Sequence, residues 1–340
     1  MLVDLIVPAC LAASALLTQR MRTLGRSHGL LDVPNERSSH TRPTPRGGGV
    51  AIVATSSACF ALLALLQRID TALFAALAGG LVVAGVGFLD DRRPVPALLR
   101  LAAHATAAAW AVAWFGGLPD LRVGAQVVSF GWTGYVLATL GVIWAINLFN
   151  FMDGIDGIAA SEAIFVALGG AVLSLTMGGS AGVAFAAVVF AAACGGFLPW
   201  NWPPARIFLG DVGSGYLGYV IVVLAMAATR DNPAALWVWL ILGGAFFTDA
   251  TVTLVRRAFR NERVHEAHRS HAYQWLARRW GSHVKVTLTV VTVNLAWLLP
   301  CAVLATLLPR YALRCAIIAL AVLAVPAVAL GAGRREVRAP

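Results

Sequence analysis

The chain has 340 residues, 59% of them hydrophobic and 12% charged, with a mean hydropathy of +0.77. A soluble domain of this length does not combine those values, so the chain is read as an integral membrane protein. Its net charge of +10 is dispersed between apolar runs instead of gathered into one basic face, which argues for membrane topology over nucleic-acid binding.

A spanning helix needs about 20 mainly apolar residues. Eleven stretches meet or approach that length: 2 to 19, 48 to 66, 72 to 89, 98 to 115, 133 to 149, 157 to 176, 181 to 199, 214 to 229, 234 to 255, 286 to 307 and 311 to 331. They are continuous and rich in Ala, Leu, Val and Gly, whereas barrel strands would alternate polar and apolar. An all-α polytopic bundle of about 11 transmembrane helices is expected. The first stretch, MLVDLIVPACLAASALLTQRMR, has no basic leader and no small-residue cleavage site, and is read as a retained helix. With the N-terminus outside, 21 of the 26 Lys and Arg residues fall in inner connections or the C-terminal tail. Only Arg68, Arg122, Arg230, Arg310 and Arg314 fall outside. That asymmetry predicts a periplasmic N-terminus and a cytosolic C-terminus. The chain is then one domain, 1–340, whose cytosolic loops 20–47, 90–100, 150–156, 200–213 and 256–285 hold the polar chemistry.

The first inner loop, GLLDVPNERSSHTRPTPRGGG, is broken by proline and glycine. It offers Arg37, His40, Arg42 and Arg46, and its glycines at 47 to 49 permit a close backbone approach. The second, GFLDDRRPVPALLR, sets Asp90 and Asp91 side by side at a helix end, pointing in different directions, so that one can hold a cation or a basic group while the other takes a proton. In the third, NLFNFMDGIDGIAA, Asn147, Asn150 and Asp153 recur every three residues on one helical face. Gly154 and Gly157 then allow a turn that brings Asp156 toward the same cavity. A plain capped turn explains one Asp but not two Asn inside the preceding span. The fourth, PWNWPPARIFLGDVGSGYLGYV, places Asp211 and Ser214 at a helix start, where backbone N–H groups receive an anion and Asp211 its counter-cation. In the fifth, HEAHRSHAYQ carries His265, His268 and His271 at a spacing of three, with Arg269 beside them. The spacing is not that of a HExxH zinc site and the flanking arginines repel a cation, so phosphate contact is favoured. Glu162 and Asp249 lie inside spans and are read as structural. Cys10, Cys59, Cys194, Cys301 and Cys315 lie in apolar runs without metal spacing and are read as packing residues.

Carboxylates and amides for a hard cation, with Arg and His for phosphate, point to phosphoryl chemistry at the cytosolic surface. In this order, RPTPRGGG, GFLDD, NLFNFMDGIDGIA, FLGDVGS and the His-bearing loop resemble the polyprenyl-phosphate N-acetylhexosamine-1-phosphate transferase family from about residue 28 to 285. The resemblance implies ten or eleven spans. It also implies transfer of a sugar 1-phosphate from a UDP-N-acetylhexosamine to undecaprenyl phosphate in the lipid bilayer, with release of UMP and with Mg2+, or Mn2+ in its place. It assigns Asn150 and Asp211 to the metal, Asp156 to the uracil and Asp153 to support of the site. Asp90 and Asp91 go to the lipid phosphate or the metal, and Arg46, Asn147, His268, Arg269 and His271 to substrate. A homodimer is implied by the same likeness. The loop sequences are nearer the branch that initiates O-antigen or related surface polysaccharides, with UDP-GlcNAc or a 6-deoxy sugar such as UDP-FucNAc or UDP-QuiNAc. Phospho-MurNAc-pentapeptide transfer is the alternative within the family. A transporter is the alternative outside it, opposed by acids that gather at the cytosolic ends instead of the midplane.

Overall fold

The computed structural model describes residues 2–27, 31–33, 43–123, 126–262 and 268–335. The architecture is an all-α bundle. Its helices are α1 (Leu2–Ser27), α2 (Gly49–Leu65), α3 (Thr71–Ala78), α4 (Gly80–Arg92), α5 (Ala97–Phe115), α6 (Gly131–Met152), α7 (Ile158–Thr176) and α8 (Ala181–Asn201). They continue with α9 (Asp211–Asp231), α10 (Ala235–Leu242), α11 (Gly244–Ala258), α12 (Ala272–Trp280), α13 (His283–Val293), α14 (Leu299–Leu307) and α15 (Ala312–Ala329). A π-helical turn, Asn294–Leu298, joins α13 to α14.

Every apolar stretch read from the sequence is helical. Among the described residues, eight helices are long and apolar enough to cross a bilayer, or nine if α10 and α11, which meet at 76°, form one broken span. α2, at 17 residues, is apolar but shorter than those.

The centre of the bundle is α9, of which 89% of the apolar window is buried. Around it pack α2, α4, α6, α7, α8 and α10. Several polar groups within the apolar interior find partners, which a low-dielectric medium favours. Tyr219 donates to the Ala76 carbonyl at 2.7 Å, Tyr216 shares a 2.8 Å hydrogen bond with Ser56, and Ser14 donates to Ala193 O at 2.6 Å. Among the described residues there are two short antiparallel strand pairs, β1 (Leu31–Asp32) with β2 (Thr44–Pro45) and β3 (Leu121–Val123) with β4 (Gln126–Val128).

The ends of helices that carry the polar residues converge. The segment after β2 runs against the approach to α9: Phe208 N donates to Pro45 O at 2.8 Å, Gly48 N to Phe208 O at 2.9 Å and Gly49 N to Leu209 O at 2.8 Å. This ladder seats Arg46 over the N-terminus of α9. Gly49 packs on the Gly213 backbone so closely that a Cβ there would collide, so the glycines here do serve a close backbone approach.

Candidate functional site

The first turn of α9 is the hub. Its N-cap, Gly210, has φ +77 and supplies no side chain, so the free N–H groups of the helix need an acceptor from elsewhere. Asp91 provides it from the end of α4: Oδ1 accepts from Asp211 N at 2.8 Å and Oδ2 from Val212 N at 3.1 Å. Negative charge is stabilised at this end of a helix. The sequence reading left these N–H groups for a bound anion; the anion they hold is the Asp91 carboxylate of the chain itself.

Arg46 bridges the hub. Its Nε lies 2.8 Å from Asp91 Oδ1 and a terminal guanidinium nitrogen 3.1 Å from Asp211 Oδ1. Burial works against its charge, but Asp211, Asp91, Asp32 and Asp153 outweigh that cost and raise its pKa. Asn150, in the last turn of α6, donates to Asp211 Oδ1 and to Ser214 Oγ, both at 3.0 Å. This orients the amide so that its own oxygen points away from Asp211.

Asp153 caps the C-terminal end of α6. Burial, with Asp211, Asp91 and Asp156 adding repulsion against the attraction of Arg46, pushes its pKa well above the usual carboxylate range. Three carboxylates, Asp91, Asp153 and Asp211, thus crowd one guanidinium. The residues present fit a hard divalent cation: oxygen donors are in excess and a further positive charge would relieve the repulsion. Among the described residues no three His, Cys, Asp or Glu side chains form a ready cage. Mg2+ does not require one, since it binds through one or two protein ligands and substrate phosphates.

The adjacent acids do diverge. Asp90 accepts from Val95 N at 2.6 Å and from Arg100 at 2.7 Å, and its side chain also meets that of Asp211. Together they stand at the polar end of a groove of about 570 Å3 between α4, α5 and α6. Asn147, Asn150 and Asp211 reach the same end, and the walls beyond are apolar, including Val83, Leu140, Ile143 and Trp144. Asn147 itself donates to Ile143 O at 2.7 Å. Arg100 was not singled out from the sequence. Its signal was available: Arg100 and His104 stand one turn apart in an otherwise apolar span, and intramembrane ionisable residues mark sites.

Asp156 does not join this cavity. Its Oδ2 accepts from Ala205 N at 2.9 Å, and its Oδ1 lies 3.3 Å from His283 Nδ1. Gly157, with φ +77, swings the chain into α7, and its N–H donates to Asn201 Oδ1 at 2.9 Å. The turn is therefore tied to the loop before α9 and to α13, and Asp156 faces those elements while Asp153 faces Arg46.

His268 and His271 do not line a helical face, because α12 starts only at Ala272, after His271 as its N-cap. Asp249, deep in the broken α10–α11 pair, accepts from Ala272 N at 2.9 Å and Tyr273 N at 3.0 Å, capping α12 as Asp91 caps α9. The structural reading of Asp249 holds, as does that of Glu162, which accepts from Asn294 Nδ2 at 2.5 Å. The His268 and His271 rings lie 4.9 Å apart, both near Phe151 at the end of α6. Burial, then the neighbouring His271 and Arg257, lowers the His268 pKa to about 3. A His268 contact to phosphate would thus be made by a neutral N–H donor. Its Nδ1 shares a 3.1 Å hydrogen bond with Ser270, and its buried Nε2 has no partner among the described residues. Arg269 is partly buried, and its carbonyl accepts from Arg278 at 3.0 Å. Arg37, His40, Arg42 and His265 lie outside the described residues.

The chain is similar to known proteins over most of its length. Residues 73–229 match the model of glycosyl transferase family 4. The decaprenyl-phosphate N-acetylglucosaminephosphotransferase of Mycobacterium tuberculosis is 31% identical over 308 residues, covering 80% of this chain and 75% of that protein. The probable undecaprenyl-phosphate N-acetylglucosaminyl 1-phosphate transferase of Bacillus subtilis is 27% identical over 286 residues, 82% of this chain and 78% of that one. The phospho-N-acetylmuramoyl-pentapeptide-transferase of Moorella thermoacetica is 35% identical, but over 146 residues, 40% of this chain and 44% of that protein.

Proposed function

The chain belongs to glycosyl transferase family 4, and from that membership we propose that it transfers an N-acetylhexosamine 1-phosphate from a UDP-sugar to undecaprenyl phosphate. The products are undecaprenyl-diphospho-sugar and UMP. The observation that carries the reading is the meeting of an oxygen-rich cluster, Asn150–Asp153–Asp211, with the head of an apolar groove that ends in Arg100. A nucleotide diphosphate suits the first and a polyprenyl chain with an anionic head suits the second.

In this mechanism a lipid-phosphate oxygen attacks the β-phosphorus of the UDP-sugar in line, and the bond from that phosphorus to the bridging oxygen breaks, so UMP leaves with the electron pair. The attacking phosphate is already an anion, so positioning supplies more than deprotonation. Arg100, paired with Asp90, holds the lipid phosphate at the mouth of the groove, and the apolar walls hold the chain. Asn150 and Asp211 would hold Mg2+, with Asp153 beside them; when bound, the ion supplies positive charge to the diphosphate oxygens. Arg46 and Asp91 keep Asp211 in place at the start of α9. Asp156, outside the groove, is assigned to the uracil end, and His268, Arg269 and His271 to the sugar-phosphate side.

UDP-GlcNAc is the sugar donor best supported, because relatives named for GlcNAc transfer align over three quarters or more of their length whereas the pentapeptide-transferase likeness is partial. The product would begin a lipid-linked surface polysaccharide. The charge asymmetry supports a bacterial inner-membrane location with the site facing the cytosol.

The test is the purified protein with Mg2+, undecaprenyl phosphate and a panel of UDP-GlcNAc, UDP-FucNAc, UDP-QuiNAc and UDP-MurNAc-pentapeptide, scored for UMP. Release with UDP-GlcNAc is expected. Folded protein that releases no UMP with any donor overturns the reading.

A further inference from the structure

The α12–α13 hairpin grips the turn between α6 and α7 from two sides. From α12, Tyr273 donates its hydroxyl to Phe151 O at 3.0 Å, and its ring lies so close to Gly154 that a Cβ there would collide with it. From α13, Thr287 Oγ1 donates to Asp156 O at 3.1 Å, and His283, the first residue of that helix, brings one ring nitrogen to two groups of the same residue. His283 Nδ1 lies 3.4 Å from Asp156 N and 3.3 Å from Asp156 Oδ1. It can accept from the first or donate to the second. Both side chains are largely buried, at 17% and 12% exposure, so water does not readily replace either contact.

We propose that His283 is a positioning residue for the nucleotide side of the site: through its Nδ1 contacts with the backbone N–H and the carboxylate of Asp156 it fixes that residue, and with it the turn that presents the uridine-binding surface. The inference rests on the transferase reading and on the assignment of Asp156 to the nucleoside. His283 lies 127 residues from Asp156 in the chain, in a helix that brings no side chain to the apolar groove. Its loss therefore bears on the nucleotide and leaves the lipid substrate alone. Each Asp156 oxygen keeps a lone pair beyond its bond to Ala205 N or His283, so the held carboxylate remains able to accept from a ligand.

The experiment compares the full-length wild type, His283→Ala and His283→Asn in detergent. Direct binding of UDP is measured by calorimetry, and KM is measured separately for UDP-GlcNAc and undecaprenyl phosphate. Asn places an amide atom near the position of Nδ1 and can accept or donate as that nitrogen does. His283→Ala is expected to weaken UDP binding and raise the UDP-GlcNAc KM about tenfold, the scale of one charge-assisted hydrogen bond. The KM for the lipid should stay within about twofold, and His283→Asn should recover most of the loss. The inference is overturned if His283→Ala binds UDP as the wild type does, if both KM values rise together, or if His283→Asn is as impaired as His283→Ala. Wild-type protein that binds no UDP overturns the transferase reading itself, which separates that failure from the others.

Discussion

Asp211 is the residue on which the site turns, because its Oδ1 alone receives both Arg46 and Asn150, at 3.1 and 3.0 Å. Replacing that carboxylate removes charge where the proposed reaction needs it most, yet leaves a side chain of the same shape. Asp211→Asn is expected to lower turnover by about two orders of magnitude, the scale for losing a preorganised electrostatic group, while membrane insertion is unchanged. A near-normal rate of UMP release would contradict the metal assignment. His268 gives a second test at this scale. Its pKa is lowered from the usual 6.5 to about 3 by burial first and by His271 and Arg257 next. The unfolded chain thus binds a proton on this side chain between those values while the folded chain does not, so stability falls as pH falls from about 6.5 toward 3 and is unaffected above. Thermal unfolding of wild type and His268→Gln across pH 4 to 8 should show a flatter acid limb in the variant.

At the scale of elements, two helices are capped from a distance. α9 starts at a glycine and α12 at a buried histidine, and in each case an Asp from another helix takes two backbone N–H groups: Asp91 for α9 and Asp249 for α12. The α9 case demands glycine at 210, whose φ of +77 disfavours a side chain and whose Cβ would fall 2.5 Å from Asp91 Oδ2. Gly210→Ala is therefore expected to cost about 1 to 3 kcal/mol, visible as a lower unfolding midpoint in detergent, and to lower turnover by displacing Asp211. An unchanged midpoint would mean that the start of α9 tolerates a different cap. The sequence had marked the GDxGS element and the adjacent acids, but the pairing between them spans 120 residues and no local pattern carries it.

Over the whole molecule, Asp90, Asp91, Asn150, Asp153 and Asp211 all gather at one end of the bundle, and the sequence assigns 21 of the 26 basic residues to connections on the cytosolic side. Reporter fusions that read the side of the membrane are expected to find the C-terminus and the 256–285 connection in the cytosol and the 116–130 connection outside. A periplasmic C-terminus would invert the proposed access of UDP-sugar to the site. Hydropathy was legible along the chain because each span buries its own backbone and declares itself through about 20 consecutive residues. The polar loops were legible too, because ionisable groups at membrane depth are costly and stand out. What side chains do once there depends on neighbours far away in sequence. Only the tertiary structure turned Asp91 into a helix cap, sent Asp156 toward His283 and away from the cavity, left His268 neutral, and set Arg100 with Asp90 at the head of a groove. Composition and periodicity act residue by residue, whereas hydrogen-bond partners and local dielectric are properties of packed helices, and those came from how α4, α6, α9 and α13 meet.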